Sequence, residues 1–425
     1  MKKVTNSINW AKPYALNVFW SNLNQGLLTV SAVIISVVFT RFGSKELYGH
    51  YAFVIAIFSL FSIISISGVG TVIFRAISQG YDCVYRKATE FSFMWSLLGI
   101  PLIITTGVFF YLFRAKILGI SLIACALFFP FVTSLHNWTV FLKAKSDFRK
   151  LFIYNSIKLA INLIGVIAAI VLTKNLILIL LAYFLVNSGF DILYHFKSLS
   201  ALRKSELDPQ WKRQGYALTI MDLSSQIFGQ VDVILIAALL PIDVVAMYCL
   251  VMRIGGMFFK VIRSTVDTLL PKLFKSEQIT IQYFYKFFLL SFLIPVILYP
   301  VIKYIILLLY GQEYLELVTF TRVYLTVIPF FFLHLLIQNF MVKYHLNAEI
   351  NLSKVISIIS VVFLYAVLIP LYGIWGGIVS SMLYFVIQLI INSFLLKIRA
   401  PKYIGAAQLK ARKSFVGSSC YQQTL

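Results

Sequence analysis

Apolar residues in this chain come in long runs separated by short polar segments. Twelve runs reach the roughly 20 helical residues that cross a hydrocarbon core: 14–40, 49–73, 88–113, 117–141, 151–173, 175–196, 215–240, 245–270, 284–309, 318–341, 352–371 and 373–396. None of the connections is long enough to hold a soluble domain. The longest, 197–214 (KSLSALRKSELDPQWKRQ), divides the chain into six spans and six. The pattern therefore predicts an all-α integral membrane protein of twelve transmembrane helices in two six-helix lobes.

The halves echo one another. At an offset of 197, Tyr51 falls on Tyr248 and Arg75 on Lys272, and Pro130 and Pro329 correspond at an offset of 199. Two halves repeated in the same orientation imply a pseudo-twofold along the membrane normal, and transporters built this way bind at the interface between repeats. The expected organisation is a cytoplasmic N-terminus (1–13), an N-lobe of helices 1–6 (14–196), a cytoplasmic linker (197–214), a C-lobe of helices 7–12 (215–397) and a basic cytoplasmic tail (398–425), polar and without period.

Charge supplies the orientation. The 37 Lys and Arg against 15 Asp and Glu give a net charge of +22 in a chain that is 60% hydrophobic, with a mean hydropathy of +0.89. A nucleic-acid binder would gather its cations on a folded basic surface. Here 26 of the 37 lie in the N-terminus, the even-to-odd loops and the tail, and only 6 in the opposite loops, with Lys286, Lys303 and Lys354 counted with the loops that adjoin their spans. Cytoplasmic loops carry such an excess, so both termini are expected in the cytoplasm. Cys83, Cys125, Cys249 and Cys420 are scattered without metal or redox spacing. No nucleotide-binding glycine loop occurs, so no cofactor is expected, and energy would come from a proton or other ion gradient or from substrate use downstream.

The remaining five cations lie inside spans: Lys158, Arg253, Lys260, Arg263 and Arg322. In the eighth span Arg253, Lys260, Arg263 and Asp267 share one helical face with Gly256. Cations at bilayer depth cost several kcal/mol each and persist where they face a bundle interior or a water-filled cavity. Lys260, midway along the span, fits a cavity group for an anionic passenger; it could equally pair with Asp222 or Asp232 of the seventh span. Arg253 and Arg263 are nearer the ends and within snorkelling reach of an interface. Asp267 follows Arg263 by four residues, an ordinary intrahelical pair.

Smaller polar groups complete the inventory. Asp222, Gln226 and Gln230 form one face of the seventh span, able either to line a cavity or to join helices. Asn17, Asn24 and Ser31 repeat every seven residues in the first span beside Trp20, a set suited to sugar hydroxyls and ring faces. Lys158 with Asn155 and Asn162 makes a patch in the fifth span, read as snorkelling to the cytoplasmic interface. His334 and Gln338 share a face of the tenth span, where a histidine could relay protons or simply pack.

Three stretches carry a family likeness. RFGSKELYGHYAF after the first span resembles the Tyr-Gly-x-Tyr turn of polysaccharide transporters. SGVGTVIFRAIS is similar to the Gly-x-Gly end of their second span, and LIPLYGIWGGIVSSM to their Pro-x-Tyr-Gly turn between the last two spans. With VDVILIAALL in the seventh span, the chain resembles the O-antigen and polysaccharide flippases (Wzx-type) of the multidrug/oligosaccharidyl-lipid/polysaccharide (MOP) superfamily over about residues 10–397. It departs from them at Arg41, where an apolar residue is usual, and in lacking the Pro-x-Tyr-Gly turn in its first half.

The resemblance implies V-shaped lobes around a central cavity. It also implies a carrier, not an enzyme, in the bacterial inner membrane, turning an undecaprenyl-pyrophosphate-linked oligosaccharide from the cytoplasmic to the periplasmic leaflet. The sugar does not carry over. Partners would be that lipid-linked glycan, membrane lipids, and the polymerase and glycosyltransferases of the same pathway, with no nucleic acid. A drug or cation antiporter of the same superfamily is the alternative, though it would want cavity carboxylates where the eighth span is basic. A membrane glycosyltransferase or polymerase would want a large extramembrane loop, and the outer turns here are short, with only Glu46, Asp243, Glu313 and Glu316 as acids.

The charge asymmetry predicts that a fluorescent protein fused after Leu425 is cytoplasmic and fluoresces, whereas alkaline phosphatase fused after Lys174 is exported and active. An inactive Lys174 fusion beside an active one at Lys204 would invert the topology.

Overall fold

A computed structural model of the chain describes residues 2–203, 205–275, 288–344 and 346–419. Side chains are described from Leu16 onward, except those of Met221, Asp222, Ser224, Ser225, Phe228, Lys343 and the segments 267–275 and 400–419. The described residues form seventeen α-helices joined by short turns. They are α1 (Lys2–Phe42), α2 (Lys45–Phe61), α3 (Val69–Ser78), α4 (Cys83–Ser96), α5 (Gly99–Phe113), α6 (Lys116–Cys125), α7 (Phe129–Ser134), α8 (Trp138–Ala144), α9 (Phe148–Thr173), α10 (Leu176–Ser200), α11 (Trp211–Leu239), α12 (Ile242–Lys275), α13 (Leu293–Leu309), α14 (Glu316–Leu325), α15 (Ile328–Lys343), α16 (Asn347–Tyr372) and α17 (Ile374–Ser419).

Eleven spans among the described residues, some made of two or three successive helices, are long and apolar enough to cross a membrane. They coincide with all the expected spans but the seventh, which falls on α11. The tail was expected to lack period, yet α17 carries helical backbone on to Ser419. The stretch AAQLKARK is made largely of strong helix formers, so the helix meets no breaker. The chain groups into two compact units, Met1–Leu250 and Val251–Leu425, and the 197–214 segment lies inside the first.

In the first unit the spanning helices are interrupted where the sequence gives the backbone another choice. The second span stops at Phe61. Ser62 Oγ donates back to the Ser59 carbonyl and Ser65 Oγ to that of Ser62, each at 2.6 Å, a competition that disfavours helix continuation. The backbone then passes through a 3₁₀ turn, reaches left-handed Ile66 (φ 58°) and restarts as α3. The fourth span breaks twice, in 3₁₀ turns at Ala126–Phe128 and Leu135–Asn137. Pro130 explains the first break, because its ring displaces the carbonyl four residues back and it offers no N–H.

The family-like turns have physical reasons. Ser44 caps α2 by accepting from Leu47 N–H at 3.1 Å. Tyr48 and Tyr51 then stack on Phe39 with ring centroids 5.3 and 4.8 Å apart. A Cβ at Gly49 would lie 2.1 Å from the Ile242 carbonyl oxygen, so α12 approaches there only because the side chain is absent. Gly68 has the same role against α11: its N–H donates to Thr219 Oγ1 at 3.0 Å, and a Cβ would sit 2.5 Å from Thr219 N.

Three spans of this unit are tied by a charge. Lys158 on α9 is 5% exposed and Asp191 on α10 is fully buried. Lys158 Nζ donates to Asp191 Oδ1 at 2.6 Å, and Trp138 Nε1 of α8 donates to the same oxygen at 2.8 Å. Lys158 is thus a buried ion-pair partner, contrary to the snorkelling expected from its span alone. Nearby, Asn155 Nδ2 donates to Asn24 Oδ1 at 2.8 Å, joining α9 to α1.

The second unit centres on aromatic rings. Phe259 of α12 meets Phe331 (4.6 Å), Tyr324 (5.4 Å) and Phe385 (5.5 Å). Tyr365 and Ser381 exchange a hydrogen bond of 2.8 Å between α16 and α17.

Removing one member of a buried ion pair strands the other charge, at a cost of roughly 3–5 kcal/mol, whereas replacing both by apolar groups is often neutral. Asp191→Ala should therefore lower the thermal unfolding midpoint in detergent sharply, and Lys158→Met with Asp191→Leu should recover most of the loss. Equal midpoints for Asp191→Ala and wild type would show that the pair carries no stability.

Candidate functional site

Two polar systems stand out, one in each unit. The first is a cavity of about 350 Å³ at the interruption of the second span. It is lined by Ser59, Ser62, Ser65 and Ser67 from the break, Ser92 of α4, Thr133, His136 and Asn137 from the broken fourth span, and Gln226 of α11. Phe58, Tyr183 and Phe184 supply an aromatic wall. Non-helical backbone at membrane depth is tolerated where it lines a cavity or is buried in protein, and here both interrupted spans contribute to one cavity.

The lining is ordered by internal hydrogen bonds. Ser62 Oγ lies 3.3 Å from Gln226 Oε1. Ser92 Oγ donates to the Ser65 carbonyl and is 3.1 Å from Ser134 Oγ. His136 Nδ1 is 3.2 Å from Asp191 Oδ1, the oxygen that also takes Lys158 and Trp138. A carboxylate oxygen only accepts, so Nδ1 carries the ring proton and Nε2 is the atom left for the cavity. Ser67 Oγ is buried and has no hydrogen-bond partner among the described residues.

The second system is α12 beyond Leu250. Val251, Ile254, Gly255, Phe259, Ile262 and Val266 are buried. A Cβ at Gly255 would stand 2.3 Å from the Tyr324 ring, so the contact on this face is close. At 100° per residue, Arg253 and Lys260 fall on the opposite face and Arg263 on its flank. Arg253 is half-buried, and Lys260 and Arg263 are exposed. The face expected from the sequence is therefore turned away from the packed core of its unit.

The other expected residues are placed as follows. Gln226 lines the first cavity, and Gln230 is half-buried one turn on. Asn24 is buried and spent on Asn155. His334 is buried, 3.5 Å from Asn392 Nδ2, within the field of Arg263 and Lys354. The side chains of Asp222 and Asp267 lie outside the described residues. Asp232 takes the Tyr248 hydroxyl at 2.8 Å. Arg322 is fixed within its unit, its guanidinium 4.1 Å above the Tyr299 ring and its Nε donating to the Tyr299 carbonyl at 2.8 Å.

Asp191, His136, Asn137 and the serine-lined break were not anticipated. One signal was available, a lone carboxylate in the apolar sixth span facing a lone lysine in the fifth. Among the described residues no group of three or more His, Cys, Asp or Glu could hold a metal.

Solved structures share this fold. Lipid II flippase MurJ in an inward closed conformation aligns over 89% of this chain and 87% of its own, at 15% identity and a TM-score of 0.68. An inward-facing multidrug resistance MATE family transporter of the MOP superfamily aligns over 87% and 94%, at 12% identity and a TM-score of 0.61. A MOP superfamily transporter from Pyrococcus furiosus Vc1 aligns over 88% and 93%, at 11% identity and a TM-score of 0.54. The protein is thus an all-helical membrane protein with a MOP-type, transporter-like fold. No curated protein matches it in sequence. The family model described as polysaccharide biosynthesis protein matches residues 15–277, more than half of the chain, and the chain belongs to that family.

Proposed function

We propose that the protein is a flippase for a lipid-linked oligosaccharide, carrying a surface-polysaccharide repeat unit such as O-antigen on undecaprenyl pyrophosphate across the bacterial inner membrane. The observation that carries this reading is the cationic face of α12 in a polysaccharide biosynthesis family member. Arg253 and Lys260 lie opposite the packed face of their helix and Arg263 on its flank, in a segment apolar enough to span the bilayer. Cations held at that depth are costly and mark ligand or ion pathways. A pyrophosphate passenger answers their sign, and low dielectric strengthens the attraction.

Twelve spans, with the two six-span halves acting as lobes that alternate access and both termini cytoplasmic, complete the proposal. The likeness to the lipid II flippase MurJ supports a lipid-linked passenger. The likeness to multidrug MATE transporters supports the antiporter alternative, but cationic drugs would meet repulsion at Lys260 and Arg263. Proton coupling through His334 or Asp267 fits either carrier.

The test is export of a lipid-linked glycan in bacteria lacking their own flippase, with membrane protein quantified. Wild type should restore surface polysaccharide with at least one of several repeat units. Lys260→Ala should lower export at least about tenfold at equal protein level, the scale of a lost hydrogen bond to a charged group. Failure of wild type with every glycan would end the flippase reading. Reduced protein in the membrane as the sole effect of Lys260→Ala would make that residue structural.

A further inference from the structure

The cavity at the broken second span lies in the first unit and holds none of the α12 cations. We propose that it is a saccharide subsite, which seats a sugar ring of the passenger. The inference rests on the flippase reading and adds where, and by what chemistry, the glycan is held.

The chemistry of the lining selects the ligand class. At about 350 Å³ the cavity lies within the range of small-ligand pockets, roughly 300–1,000 Å³. Its polar groups are hydroxyls, amides and an imidazole, with no carboxylate, lysine or arginine among the described lining residues. A bare cation would want anionic oxygens converging on a much smaller volume. An anion would want an uncompensated positive charge, and Lys158, the cation behind His136, is already neutralised by Asp191 at 2.6 Å. A neutral polyol needs neither. It needs donors and acceptors interleaved along a wall, and flat apolar surface opposite for its C–H face.

Both are present. Ser67 Oγ has no hydrogen-bond partner among the described residues. The Gln226 amide, 3.3 Å from Ser62 Oγ, brings a group that both donates and accepts. His136 is held by Asp191 through Nδ1, so Nε2 remains, in a fixed direction, to meet a hydroxyl. Asn137 follows in the same 3₁₀ turn and adds an amide that both donates and accepts. Phe58 and Phe184, 4.3 Å apart, and Tyr183, edge-on to Phe184 at 5.2 Å, form the apolar wall.

The position suits loading. On the orientation read from loop charges, the break follows α2 toward the cytoplasmic end of the second span. The fourth-span turn at Leu135–Asn137 likewise precedes the cytoplasmic end of its span. A glycan assembled on the cytoplasmic leaflet would meet this half of the protein first.

The probe is the repeat-unit oligosaccharide that wild type exports in the complementation assay, released from its lipid by mild acid. Its binding to the purified full-length chain is read by saturation-transfer difference NMR, with thermal unfolding of each variant measured alongside. Wild type should transfer saturation to the sugar ring protons. Asn137→Leu and Gln226→Leu should each weaken that transfer about fivefold with unfolding midpoints near wild type, and lower export in parallel. No transfer from a wild type that does export, or undiminished transfer in both variants, would remove the subsite and leave the flippase standing. A sodium-dependent stabilisation lost in these variants, without sugar binding, would assign the cavity to a cation and overturn the proposal. A wild type that exports no glycan removes the flippase reading and this inference with it.

Discussion

Asp191 is the constraint on which the first unit depends. In hydrocarbon a carboxylate has no water to return to, so it stays ionised only if donors converge on it. Three of them do: Lys158, Trp138 and His136 all reach Oδ1, from three segments of the chain. The arrangement fixes α8, α9 and α10 in mutual register more narrowly than apolar packing could, because lipid tails compete on equal terms with leucine for a helix surface. It also leaves Asp191 Oδ2 buried and without a partner among the described residues. The network is organised around one oxygen, and the histidine it orients is the member that faces the cavity.

That cavity follows from breaking helices inside a membrane. Each interruption frees backbone groups that lipid cannot satisfy. Here serine hydroxyls take over part of that duty, through the bonds of Ser62, Ser65 and Ser92 to neighbouring carbonyls. Once polar side chains and bent backbone are gathered in one place, the space between them favours polar occupants. The break and the site are consequences of the same residues.

The readable part of this fold was whatever a single helix can report. Span lengths and the two-faced character of α12 come from periodicity within about 25 residues, whereas the close approaches at Gly49 and Gly68 show only once Ile242 and Thr219 are placed beside them. Lys158 shows the limit. Within its own span it looks like a snorkelling lysine, since its partner lies 33 residues away across a turn and an apolar helix. Asp191 has no periodicity of its own to mark it. The 3₁₀ turn at Leu135–Asn137 is equally hidden, because HNW in an apolar run is compatible with continuous helix until the pull of Asp191 on His136 and Trp138 is known. Asn24 fails for a related reason: polar residues at heptad spacing mark a face, but not whether that face meets a ligand or, as here, another asparagine.

The two polar systems differ in the kind of recognition they can perform. Exposed cations on α12 offer charge, which acts at range and tolerates variation in what is attached to the anion. The serine, amide and imidazole groups of the first unit offer directional hydrogen bonds, which are short-ranged and discriminate among hydroxyl patterns because an unmatched buried polar group is penalised. A lipid-linked glycan presents both an invariant pyrophosphate and a variable sugar. Divergence in a family of such carriers would then fall on positions such as Asn137 and Gln226, where a change of one amide alters which hydroxyls are met. The helix breaks that create the cavity would be held in place by Pro130 and by the Asp191 network, whatever sugar is carried.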